Sequence, residues 1–151
     1  MASVLYVEDE ENDVFFMRRS FDRAGLEGTL QVVLDGQAAI DYLAGNGPFA
    51  NRQEHPLPEV VLLDLNLPMI SGFQVLNWIR NQPQLRDLPV VVFSSSARPE
   101  DQKLAQELGA DDYFEKPGSG FDFGRVVKAL SSKWLGRVSP APACRTIPAR
   151  S

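Results

Sequence analysis

Short apolar runs rich in β-branched residues alternate five times with segments of helical period, and this alternation restricts the fold more than any other feature of the chain. Strands separated by helix-length connections cannot pair as tight hairpins. They become parallel neighbours, and the connecting helices cover both faces of the sheet. Strands are expected at residues 4–7, 29–34, 59–64, 89–94 and 112–115. The third is continuously apolar through Val60, Val61, Leu62 and Leu63, the pattern of a strand buried on both faces. The expected class is therefore α/β, a doubly wound five-stranded parallel sheet with five helices.

The helices follow from spacing. Residues 10–24 place Val14, Met17, Phe21 and Ala24 three or four apart on one face, with Gly25 as the stop. Asp35-Gly36 opens a second helix through Ala39, Ile40 and Leu43, which ends at Gly45-Asn46-Gly47-Pro48. Residues 71–80 carry Phe73, Val75, Leu76 and Ile79, and residues 99–108 run to a stop at Gly109. Residues 121–135 set Phe123, Val126, Val127, Leu130 and Trp134 on one stripe, leaving Phe121 and Leu135 outside it. Residues 45–58 hold several breakers and are expected to be a long surface loop without an element of its own. Beyond Gly136 the composition turns to Pro, Ala, Ser and Arg, so residues 1–136 are expected to form one domain and residues 137–151 a flexible tail.

Charge and hydropathy exclude several classes. Fifteen Lys and Arg stand against 20 Asp and Glu, a formal charge of −5, and no basic run exceeds two residues, which disfavours nucleic acid as a partner. No apolar run approaches the roughly 20 residues of a membrane span, and no basic leader precedes Glu8, so a cytoplasmic location is expected. The single cysteine, Cys144, excludes an internal disulfide and a cysteine metal site.

In an open parallel sheet, ligands bind beyond the carboxyl ends of the strands. Strand one ends in Glu8-Asp9, strand three in Asp64, strand four in Ser94-Ser95-Ser96 and strand five in Lys116-Pro117. Three carboxylates brought together repel one another unless a cation sits among them. With oxygen as the available ligand, that cation is a hard divalent ion, Mg2+ before Ca2+. A metal beside an aspartate, a hydroxyl and a lysine is equipment for phosphoryl transfer. Asp64 would be the nucleophile, Glu8 and Asp9 would hold the metal, and Ser94 and Lys116 would each bind a phosphoryl oxygen.

These residues, with Asp64-Leu-Asn-Leu-Pro68 leading to Gly72, resemble the receiver domain of bacterial response regulators over about residues 3–136. The intervals agree as well, 30 residues from Asp64 to Ser94 and 22 from Ser94 to Lys116. The resemblance implies the flavodoxin-like strand order 2-1-3-4-5, phosphorylation of Asp64 by a histidine kinase, and Mg2+ held by Glu8, Asp9, Asp64 and Asn66. It also implies a switch through Ser94 and Tyr113, which lies three residues before Lys116. Glu8 stands where the family more often has aspartate, and Ser94 where it more often has threonine. The long loop before strand three and Trp134-Leu135 look like the small regulators that serve phytochrome kinases, so a bacteriophytochrome is the expected kinase.

Other readings fit less well. A haloacid-dehalogenase-type phosphatase needs a second acid two positions after the nucleophile, and Asn66 stands there. A flavodoxin-like FMN binder needs a phosphate cradle after strand one, where Glu8-Asp9-Glu10-Glu11 would repel phosphate. A phosphorelay intermediate, a phosphate sink and an unphosphorylated receiver-like interaction domain remain as alternatives. Three further expectations concern the switch and its partners: a cis peptide at Lys116-Pro117, a homodimer through helix four, strand five and helix five, and an aromatic pair, Phe15 and Phe16, for the kinase's helices.

Overall fold

The computed structural model of the chain describes residues 3–26, 28–116 and 123–135. Five parallel strands, β1 (Val4–Val7), β2 (Leu30–Val33), β3 (Val60–Leu63), β4 (Val90–Ser94) and β5 (Asp112–Glu115), form one sheet in the order β2-β1-β3-β4-β5. The central strands β1, β3 and β4 are buried along their whole length, and the edge strands β2 and β5 are mostly half-exposed. Both the expected strand order and the buried third strand are present.

The helices are α1 (Glu11–Arg23), α2 (Gly36–Ala44), α3 (Gly72–Arg80), α4 (Pro99–Glu107) and α5 (Gly124–Leu130), the last continued by a π turn at Ser131–Leu135. The period of two along each strand divides the core. Val4, Tyr6, Val60, Leu62, Val91 and Phe93 face α1 and α5, where they meet Met17, Phe21, Phe123, Val126, Val127 and Leu130. Leu5, Val7, Val61 and Leu63 face the other way, onto Ala39, Tyr42 and Leu43 of α2 and Val75, Leu76 and Ile79 of α3. Ala105 of α4 packs with Leu65 and Val92 at the β5 side.

Some details differ from the reading of the sequence. Ala24 is exposed, because it is the residue past the last helical turn of α1 and the chain turns away through Gly25 at φ 76°. Phe16 is half-buried, packed against Phe123 at 6.2 Å between ring centroids, so only Phe15, 55% exposed, is open to a partner. Leu135 belongs to the core at 6% exposure. The wider π turn accommodates one extra residue and lets Trp134 and Leu135 both face inward, where a strict α-helix would turn one of them out.

The loop over residues 45–58 contains an element after all, a 3-10 turn at Gly47–Phe49, and another such turn at Pro83–Leu85 precedes β4. Its ordering comes from one side chain. Arg52 donates to the carbonyls of Tyr42 and Leu43 at the end of α2 and to that of His55, while the His55 ring meets Tyr42 and Phe49 edge to face and those two rings pack tilted on each other. The Lys116-Pro117 bond, Phe121 and the tail at 137–151 lie outside the described residues.

Candidate functional site

The parallel register brings the strand ends level. Val7 pairs with Leu63 and Leu63 with Val92, so the residues just beyond, Glu8 and Asp64, leave neighbouring strands side by side. Main-chain bonds carry the ladder past the strand ends: Glu8 N donates to Val33 O, Asp64 N to Val7 O and Lys116 N to Ser94 O. The sheet thereby converts residues 108 positions apart, Glu8 and Lys116, into direct neighbours.

Glu8, Asp64 and Ser94 are buried, and Asp9 is exposed at the rim. Carboxylate oxygens of Glu8, Asp9 and Asp64 all lie within 4.8 Å of one another. Lys116 Nζ sits among acids, 2.7 Å from Glu8 Oε1, 2.7 Å from Asp13 Oδ2 and 3.1 Å from Asp64 Oδ2. The other Asp64 oxygen, Oδ1, accepts the Asn66 N–H at 3.1 Å, which fixes the start of the loop and sets exposed Asn66 at the rim. Ser94 Oγ accepts from Ser96 N, and the Tyr113 hydroxyl donates to Ser96 O at 2.8 Å. Tyr113 itself packs against the cluster of Leu65, Val92 and Ala105.

The electrostatics follow from burial and like charge. Burial and the neighbouring Asp64 carboxylate push the Glu8 carboxyl up to about 7, against the pull of Lys116. Tyr6, on the same face of β1, donates to Glu8 Oε1 at 3.0 Å, and burial beside that acid drives its phenol far above the ordinary range, so it remains a donor. Burial opposes the Lys116 charge, but Asp64 and the bonds to Asp13 and Glu8 outweigh it and hold its pKa above the usual lysine range. Three convergent hard oxygen donors with more negative charge than one lysine can neutralise are a donor set that suits Mg2+. Glu8, Asp9 and Asp64 are the carboxylates that fit it.

Two features of the backbone shape the nucleophile's surroundings. A Cβ at Gly72 would lie 2.3 Å from Asp64 O and 2.6 Å from Leu65 Cα, so the start of α3 can approach the end of β3 only with glycine there. In the intervening loop Leu65 and Leu67 tuck inward, whereas Met69 stands 87% exposed at a left-handed φ of 66°.

Every site residue read from the strand ends is thus at one edge of the sheet. The reading missed Asp13 and Tyr6. A signal for each was present: Asp13 precedes the inward-facing Met17 by four, one helical turn, and Tyr6 precedes Glu8 by two on the same strand face.

Comparison with known proteins places this geometry. Residues 4–130 match the Response regulator receiver domain family. The "Probable methanogenesis regulatory protein FilR2" of Methanothrix harundinacea (strain 6Ac) is 38% identical over 93% of this chain and 88% of its own. Response regulator Rcp1 of Synechocystis sp. (strain ATCC 27184 / PCC 6803 / Kazusa) is 32% identical, over 90% of each. Among solved structures, the phosphorylated cyanobacterial phytochrome response regulator RcpA superposes with a TM-score of 0.80 at 28% identity, covering 95% of this chain and all of that one. The Mn(2+)-bound form of Rcp1 gives 0.78 at 30%, covering 99% and 100%.

Proposed function

The chain belongs to the response regulator receiver family, and from that premise we propose that it takes a phosphoryl group from a histidine kinase onto Asp64, with Mg2+ required, and signals through a changed protein surface. One observation carries the reading: the buried Asp64 carboxylate lies 3.1 Å from Lys116 Nζ and within 4.8 Å of the carboxylates of Glu8 and Asp9. An Asp64 oxygen attacks phosphorus, and the P–N bond of the phosphohistidine breaks with its electron pair left on the imidazole nitrogen. The product is an acyl phosphate. Lys116 pairs with one phosphoryl oxygen and the Ser94 hydroxyl donates to another, so charge that develops in transfer meets fixed donors. Bound by Glu8, Asp9, Asp64 and Asn66, Mg2+ supplies the remaining neutralisation.

The signal leaves through Ser94 and Tyr113. Drawing the Ser94 hydroxyl toward the phosphoryl group shifts the β4–α4 turn, to which the Tyr113 hydroxyl is already bonded at Ser96 O, and with it the α4, β5 and α5 surface. That surface joins two copies in a symmetric homodimer, and Phe15 contacts the kinase's helices. The kinase is a bacteriophytochrome, a reading supported by the similarity to the cyanobacterial phytochrome response regulator RcpA, and the protein works in the cytoplasm.

Incubation with acetyl phosphate and Mg2+ is expected to add one phosphoryl mass, lost on chelation and in Asp64→Asn. An Asp64→Asn variant labelled at the wild-type rate would overturn the assignment. Transfer from a phytochrome kinase is expected to differ between red and far-red light. Equal transfer in both removes the phytochrome partner and leaves the receiver chemistry standing.

A further inference from the structure

Lys116 has three N–H donors, and three carboxylates take them: Glu8, Asp13 and Asp64. The three acceptors are not equivalent. Asp64 is the atom group that reacts under the proposed function, and Glu8 and Asp64 both belong to the carboxylate cluster that suits the cation. Asp13 does neither. It stands in the first turn of α1, its side chain 19% exposed, and its Oδ2 meets Lys116 Nζ at 2.7 Å, closer than Asp64 at 3.1 Å.

We infer that Asp13 is a positioning residue that anchors Lys116 through the phosphorylation cycle, by an ion pair that neither the cation nor the phosphoryl group has to break. This rests on the function proposed above. Without a partner at Asp13, the ammonium can satisfy its donors only by turning further onto Glu8 and Asp64. There it covers the nucleophilic oxygen and competes for the same carboxylates as the cation. With Asp13 in place, one of its three donors is held on α1, outside the carboxylate cluster, and the donor on Asp64 is free to pass from an Asp64 oxygen to a phosphoryl oxygen.

A bland role for Asp13 also exists. Together with Glu11 it puts negative charge in the first turn of α1, where any acid favours the helix dipole. That role is independent of Lys116, which gives the test. Phosphorylation by acetyl phosphate at saturating Mg2+ is timed for the wild type, Asp13→Asn, Lys116→Met and the double variant. Beryllofluoride affinity is measured in parallel, since it stays measurable when labelling is too slow to time. Asp13→Asn is expected to lower the rate and the affinity about tenfold in the wild-type background and to change neither in the Lys116→Met background, the coupling expected of residues in contact. An equal deficit in both backgrounds, or none in the wild-type background, overturns the inference. Failure of the wild type itself to label or to bind beryllofluoride strikes instead at the function on which it rests.

Discussion

Glu8 shows how far burial moves a single group. Its carboxyl is fully enclosed, receives the Tyr6 hydroxyl and the Lys116 ammonium on one oxygen and the Glu10 N–H on the other, and still keeps its proton up to about pH 7, because burial and the Asp64 charge outweigh those donors. The folded chain therefore holds a proton to higher pH than the unfolded chain, whose carboxyl titrates near 4.5. The linkage has a definite sign: in the absence of divalent cation, stability contributed through Glu8 falls as pH rises from about 4.5 through about 7. Glu8→Gln carries no titrating carboxyl and is expected to flatten that part of the curve. Urea unfolding in chelator at about pH 5.5 and about pH 7.5 checks it. A wild-type midpoint that does not fall over this interval relative to Glu8→Gln would mean an ordinary Glu8.

At the scale of elements, the unusual connection is the one between α2 and β3. A segment of this length tends to be mobile, yet here the Arg52 guanidinium gathers three carbonyls, those of Tyr42, Leu43 and His55, at 2.8 to 3.1 Å. Two of these belong to the last turn of α2, where carbonyls lack helical partners, so the same side chain finishes the helix and pins the loop. Tyr42 adds a bond from its hydroxyl to Pro56 O. Arg52→Ala is expected to cost about 2 kcal/mol and to release the loop while leaving the sheet intact. Limited proteolysis should then cut near Gln53 and Glu54, and hydrogen exchange should rise over residues 45–58 alone. Unchanged exchange there would show that the aromatic contacts suffice.

For the whole molecule, the proposed signalling surface is the face formed by α4, β5 and α5. Burial of Leu135 removes one of the two apolar residues that pointed to self-association through α5, and Phe121 lies outside the described residues. The face still offers Leu104 of α4, 40% exposed, and the Lys133–Asp112 pair at 3.2 Å between the π turn and β5. A homodimer through this face is expected to form at high micromolar concentration and to strengthen with beryllofluoride and Mg2+. Leu104→Arg, which sets a charge in its centre, should weaken it. A monomeric mass by light scattering under both conditions would end the dimer proposal. Among the described residues no helix is long and apolar enough to cross a membrane.

The alternation of strands and helices, the burial of β3 and the cluster of acids, hydroxyl and lysine at strand ends could all be read from the chain. Each is written in local patterns: period two, period three to four, and the residue that follows an apolar run. Even the widely separated Glu8, Asp64, Ser94 and Lys116 were legible together, because a parallel sheet places every strand's carboxyl end on one edge. Tertiary structure decided the rest. Asp13 became a partner of Lys116 only because α1 packs where β5 ends, Leu135 turned inward because α5 widens into a π turn, and Arg52 ordered a loop rich in breakers by reaching back to α2. The helical period sets Asp13 on the same face as Met17 but does not name Lys116 as its partner, and nothing periodic announces the other two, since each depends on where two remote backbones meet and which donors and acceptors they leave facing one another.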